Sequence, residues 1–277
     1  MGRYIQSFRR SLLDRMVLRP SRGFVDHGSQ EPVMLGAEGS NIECFVHRHP
    51  CTGESADVLA IKFPGTAGRA ERSSSWPSGM LDDVSCETWT WNPPGYGQSA
   101  GRASLTGMAH AGQRFASEVL RRSGDSPKTI WLIGNSLGCN TALFVATKLS
   151  DVEIPIGLIL RNPPPLVPVV KRIAKRYPGS RFVDAIAESV CDEMNAMMTA
   201  PHVRYPAVFL QSGSDDLVPP EMQNEVIEDY AGDHQLVEME GLDHGGIASD
   251  RHDKQIRSGI QWLWQRTGVE AREWATR

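Results

Sequence analysis

The stretch LIGNSLGCN, Leu132–Asn140, holds Ser136 with a glycine two residues to either side, Gly134 and Gly138. Glycine costs backbone entropy, so two of them mark a chain path that side chains would block. The apolar run TIWLI precedes the motif and the helical pattern TALFVATKL follows it. G-x-S-x-G between a strand and a helix is a nucleophile elbow: a strained turn lifts the hydroxyl above the sheet, and the helix aims free backbone N–H groups at the same place. A serine hydroxyl needs a base, and the base needs a carboxylate to orient it. In this arrangement the chain order is Ser, then Asp or Glu, then His. Downstream, QSGSDDLVPPE follows the run AVFLQ, and EGLDHGG follows LVEME. His244 is therefore the candidate base. His47, His49 and His110 come before the serine, while His202, His234 and His252 fall in an insertion, before a strand, and in or beside the last helix. Asp215 and Asp216 are adjacent, and both are candidates for the acid.

These side chains need a frame, and the rest of the chain describes one. Runs rich in β-branched and aromatic residues, bounded by Gly, Pro, Asn or Asp, predict strands at Ile42–Arg48, Val58–Phe63, Glu87–Trp91, Thr129–Gly134, Ile156–Leu160, Ala207–Gln211 and Leu236–Glu240. Helical patterns lie between them at Met108–Arg121, Leu137–Leu149, Glu221–Tyr230 and Asp253–Trp264. Such alternation implies an α/β protein with a mostly parallel central sheet covered by helices on both faces. His244 and the aspartate pair then lie where parallel strands end, the edge at which open α/β sheets place ligands. The longest interruption, 162–205, reads as a short helical cap insertion within a single domain spanning 1–277. It carries Met194, Met197 and Met198 beside Ile186, Val190 and Cys191; these suit either a wall for acyl chains or a plain helix core. Trp76 is another candidate wall residue.

The chain has 277 residues, 40% hydrophobic and 22% charged, with a net charge of −4. That composition is globular and gives no basic footprint for nucleic acid. Five cysteines (Cys44, Cys51, Cys86, Cys139, Cys191) include no C-x-x-C pair, which argues against zinc and against a disulfide framework and fits reduced thiols in the cytoplasm. Residues 1–22 are different. Six arginines stand against one acid, Asp14, and Ile5, Phe8, Leu12, Leu13 and Met16 recur at helical spacing. This basic amphipathic segment has two readings: a helix docked on its own domain, the one favoured here, or a peripheral membrane contact. It has neither the continuous apolar run of a secretory signal nor, at Gln6, the Ser or Thr of a myristoylation motif.

From Ile42 to Trp264 the chain resembles the α/β-hydrolase superfamily, in its esterase- and depalmitoylase-like branch of serine hydrolases. The family's spacing from acid to Val-Pro favours Asp215 in DDLVP, whereas counting from Gly213, as in its G-S-x-D variant, points to Asp216. IKFPGTAG resembles the segment that supplies the second oxyanion donor, which implies that the Thr66 N–H works with that of Leu137. Many relatives have His-Gly where this chain has Pro64-Gly65. WNPPGYGQSAGRASL looks like the family's structural Gly-x-Gly-x-Ser turn, which makes Ser99 a poor nucleophile. The resemblance implies hydrolysis of a small-molecule carboxylic ester or thioester through an acyl-enzyme on Ser136, with His244 as base, Asp215 as its partner, and no cofactor or metal. An acyltransferase with the same three residues, and a non-catalytic binding protein on the same fold, are the alternatives.

Overall fold

The structure, a computed structural model, describes residues 2–49, 56–124, 126–175 and 183–268. Met1, Cys51, part of the 162–205 insertion and the end of the chain lie outside the described residues. Eight strands form one sheet: β1 (Glu31–Leu35), β2 (Ile42–His49), β3 (Val58–Phe63), β4 (Cys86–Trp91), β5 (Thr129–Asn135), β6 (Ile156–Arg161), β7 (Ala207–Ser212) and β8 (His234–Met239). Their order is β1-β2-β4-β3-β5-β6-β7-β8. β2 runs antiparallel to both neighbours, and every pairing from β4 to β8 is parallel. The helices are α1 (Gly2–Val17), α2 (Leu105–Ser123), α3 (Leu137–Ala146), α4 (Leu166–Ala174), α5 (Asp184–Ala187), α6 (Ala196–Thr199), α7 (Pro220–Glu228) and α8 (Asp250–Thr267).

The central strands are buried on both faces, which is why they read as continuous apolar runs rather than alternating ones. One face carries the larger core, where Phe63, Trp91 and Phe115 pack as an aromatic cluster with α2 and α3. On the other face α8 lays Ile256, Ile260 and Leu263 over Val58, Trp131, Ile159 and Val208. β1 is an edge strand that the apolar pattern does not reveal. EPVML carries a proline and is mostly exposed, and its ladder partner is β2 alone.

The basic N-terminal segment forms α1 and an extended exit, and both attach to the domain. Leu13 (1% exposed) and Leu18 enter the larger core with Val17 against it. The first turn of α2 receives two side-chain acceptors. Ser104 Oγ takes the Gly107 N–H (3.1 Å), and Asp14 of α1 takes the Leu105 N–H (2.9 Å). Arg22 then donates to the carbonyls of Ser99 and Gly101 (3.1 and 3.0 Å). Ile5, Phe8 and Met16 behave differently from Leu13: they remain exposed. Between β6 and β7, α4, α5 and α6 cover the sheet edge, with α6 and Met194 packed on α3.

Candidate active site

Ser136 sits between β5 and α3 with φ 51° and ψ −123°, a backbone region that L-residues avoid. Two hydrogen bonds and close packing hold the turn there. The Ser136 N–H donates to the Arg161 carbonyl of the neighbouring strand (2.8 Å), and the Ser136 carbonyl accepts from Cys139 N–H (2.8 Å). Close packing supplies the rest. A Cβ on Gly134 would lie 2.5 Å from the Cys139 Cα, and one on Gly138 would overlap the Phe63 carbonyl oxygen at the end of β3. The two glycines thus let helix and strand close on the serine. No side chain caps the first turn of α3, so the Leu137 amide belongs to an open helix N-terminus beside the hydroxyl.

His244 reaches the serine from the loop after β8. Its Nε2 lies 2.9 Å from Ser136 Oγ, and its Nδ1 lies 2.6 Å from Asp215 Oδ2. Asp215 is 3% exposed at the end of β7, and the chain turns around it. Its Oδ1 accepts the N–H groups of Leu217 (2.9 Å) and Val218 (2.8 Å), and its Oδ2 also accepts from Gln223 Nε2 (3.3 Å). Asp216, the other candidate acid, is exposed and points to none of these partners. The structure therefore brings together Ser136, His244 and Asp215 and leaves Asp216 outside.

Sequence reasoning overlooked three residues that hold this array. Asn162, fully buried with φ 53°, accepts the Ser212 N–H (2.9 Å) and donates to Ser212 Oγ (3.0 Å) and to the His244 carbonyl (3.4 Å). It fastens β6, β7 and the histidine loop to one another. An asparagine directly after a buried strand was the available signal, since Asn tolerates the left-handed region better than most residues. Arg161 donates to the Gly246 carbonyl at 2.5 Å, and burial lowers its pKa. Gln223 braces the Asp215 turn through Val218 O as well (2.7 Å). No motif announced these last two.

Thr66 lines the same cleft as Ser136 and Leu137. The loop that begins at Pro64 is held from outside. The Thr66 carbonyl accepts from the Tyr96 hydroxyl (2.7 Å) and from the Arg19 N–H (3.3 Å), and Gly68 N–H closes a turn on the Gly65 carbonyl (3.0 Å). Arg69, ion-paired with Glu71 in the interior, ties the same loop to the Ser21 and Gly23 carbonyls. Ser99 lies elsewhere, fully buried between the Asn92 carbonyl (2.6 Å) and the Glu43 N–H (2.9 Å). Cys139 is also buried, with its thiol donating to Arg161 O (3.2 Å) and its pKa pushed up by desolvation. Among the described residues no cluster of three or more His, Cys, Asp or Glu is arranged to hold a metal ion.

The cleft above Ser136 measures about 490 Å³. Its apolar walls come from α4 (Leu166, Val169, Val170, Ile173), from Met16 and Val17 of α1, and from Leu217. The methionines of the insertion are not among them. Met194 is buried against Thr141 Oγ1 (3.7 Å), Met197 packs on the larger core, and Met198 faces solvent. Trp76 packs on the opposite core. Helical spacing identified these residues as packing positions without saying against which surface they pack.

No family model matches the chain. Over 241 residues it is 26% identical to the uncharacterized protein Rv2307c of Mycobacterium tuberculosis, an alignment covering 83% of this chain and 79% of that one. It is 28% identical over 184 residues to the lysophosphatidylserine lipase ABHD12 of Rattus norvegicus. That match covers 59% of this chain and 44% of the relative, so the chain spans less than half of that relative's length. In structure it is similar to an alpha-beta hydrolase from Vibrio vulnificus, with a TM-score of 0.66 at 18% identity over 95% of this chain and 93% of that one. The fold is the α/β-hydrolase fold. Strand order and elbow agree with that fold.

Proposed function

We propose that the chain is a serine hydrolase that cleaves a carboxylic ester, with thioesters as chemically equivalent substrates, through an acyl-enzyme on Ser136. The observation that carries this reading is the continuous chain Ser136 Oγ, His244, Asp215 on the floor of an apolar cleft. His244 Nε2 takes the hydroxyl proton as Oγ attacks the acyl carbonyl, while Asp215 keeps Nδ1 protonated. The Leu137 and Thr66 amides receive the developing oxyanion, each such donor being worth about 3 kcal/mol. The protonated imidazole then hands its proton to the leaving alkoxide or thiolate. Water, deprotonated by the same nitrogen, releases the acid.

The apolar walls of the cleft suit the acyl portion of the substrate. Burial of each methylene is worth about 0.8 kcal/mol, so kcat/KM rises up to about fourfold per carbon until the cleft is filled. The name of the rat relative, a lysophosphatidylserine lipase, accords with an acyl ester. Labelling with a fluorophosphonate followed by peptide mapping tests the proposal. The adduct is expected on Ser136 and is lost in Ser136→Ala, which also loses turnover of p-nitrophenyl esters. An adduct on Ser99, or no adduct in folded protein, sinks the assignment.

A further inference from the structure

The apolar side chains of α1 divide into two sets. Leu13 and Val17 turn into the domain. Tyr4, Phe8, Leu12 and Met16 recur every four residues and so form one row along the other side of the helix, with Ile5 beside it. Apart from the half-buried Leu12, the row is open to solvent: Tyr4 is 85% exposed, Phe8 64% and Met16 38%, and Ile5 is exposed too. Its last member, Met16, is a wall of the Ser136 cleft. On a helical projection Arg15 falls between Tyr4 and Phe8, and Arg9 falls next to Ile5. Both arginines are exposed, and neither has an ion-pair partner among the described residues. Glu188, which shares a groove with Arg9, is engaged by Lys171 at 2.7 Å. The helix's one acid, Asp14, is bound to the first turn of α2.

The outward face of α1 therefore offers aromatic and aliphatic side chains with Arg15 within the row and Arg9 at its edge, where the neighbouring acid, Glu188, is held by Lys171. We propose that this face seats the protein on an anionic lipid surface. Tyr4, Ile5 and Phe8 enter the headgroup boundary, Arg9 and Arg15 meet the lipid phosphates, and the mouth of the cleft at Met16 is brought down to the layer that holds acyl esters. An interfacial helix has this composition: a large apolar face with aromatics, and arginine on its flanks. Charge complementarity selects lipid over a second copy of the chain. A two-fold contact is made by the same patch on both partners, and here it would set Arg15 against Arg15 within the apolar row, while Asp14 and Glu188 are already engaged by α2 and Lys171. The assignment of an acyl-ester substrate rests on the proposed function, whereas the seat itself is a binding property that can be measured without turnover.

The test uses the full chain carrying Ser136→Ala and co-sedimentation with vesicles of phosphatidylcholine, alone or mixed with phosphatidylglycerol. Binding is expected on the anionic vesicles at low salt and is released as salt rises, because basic residues near such a surface contribute about fivefold each to the partition. Arg9→Gln with Arg15→Gln then weakens binding by about 25-fold. Tyr4→Gln with Phe8→Gln weakens it by about tenfold or more while the melting temperature stays at the wild-type value, since both residues are exposed. Absence of the full chain from anionic vesicles at low salt overturns the proposal. So does equal binding by the Tyr4/Phe8 variant, or a solution dimer that this variant dissociates. If Ser136→Ala binds as expected and the wild type hydrolyses no ester, the seat stands and the acyl-ester reading falls; hydrolysis without vesicle binding sinks the seat alone.

Discussion

Replacing Asp215 by asparagine is the sharpest test of the array, because the surrounding hydrogen bonds dictate how the amide must sit. Oδ1 accepts two backbone N–H groups, from Leu217 and Val218, so an asparagine must keep its carbonyl oxygen there. Its NH2 then takes the place of Oδ2, facing His244 Nδ1 at 2.6 Å and the donating Nε2 of Gln223. A donating NH2 cannot face His244 Nδ1–H, so the imidazole moves its proton to Nε2, the nitrogen that faces Ser136 Oγ. The base is lost without loss of the fold. The equivalent tautomer error in a serine protease lowers kcat about ten-thousandfold, which corresponds to about 5 kcal/mol of transition-state stabilisation. Asp216→Asn changes an exposed side chain outside the array, and kcat should stay within about twofold, as for surface substitutions generally. The assay is kcat on a p-nitrophenyl ester at saturation together with the rate of fluorophosphonate labelling, with melting curves to establish folding. A folded Asp215→Asn protein with near wild-type kcat, or a larger loss in Asp216→Asn, refutes the reasoning.

Two further outcomes follow from the supports of the site. Tyr96→Phe removes the hydroxyl that fixes the Thr66 carbonyl and should lower kcat about tenfold with little change in KM, a fraction of what a whole oxyanion donor is worth; an unchanged kcat shows that the loop holds itself. Lys62, whose ammonium donates to the Ser74 and Trp76 carbonyls, has its pKa lowered to about 8 by burial. The unfolded chain therefore binds more protons above pH 8, and the unfolding free energy of wild type relative to Lys62→Met should rise between pH 8 and pH 10 by at most about 1.4 kcal/mol per pH unit. Denaturant titrations across that range check it, and a flat or falling difference counts against a buried ammonium.

The parallel core was legible because a strand buried on both faces must be apolar at every position; VLAIKF, TIWLIG and IGLIL could be little else. β1 was not legible, since an exposed edge strand with Pro32 carries neither an apolar run nor an alternation. The elbow could be read from its glycines because their job is steric and local. Spacing left the two adjacent aspartates undecided, and what separates them is the turn in which Leu217 and Val218 offer their amides to Asp215 Oδ1. Asn162 and Gln223 act through tertiary contacts 50 and 8 residues away; Asn162 is marked locally only by its place after a buried strand, and Gln223 has no local signature.

The N-terminal segment shows why an amphipathic pattern alone could not choose between docking and a surface role. One set of apolar residues, Leu13, Val17 and Leu18, anchors α1 to the core, and a second set, Tyr4, Ile5 and Phe8, is left outside. Both sets share a single helical period. Docking also has a consequence for the chemistry, because the same segment reaches the site at two points: Met16 and Val17 wall the cleft, and the Arg19 amide helps to fix the Thr66 carbonyl. A helix that precedes every hydrolase-like sequence motif therefore completes the cleft and steadies the loop proposed to carry the oxyanion donor. Lipid contact at Tyr4 and Phe8 would be transmitted along one rigid helix to the wall beside Ser136. α1 thus links the proposed lipid-facing residues Tyr4 and Phe8 to Met16 in the cleft wall.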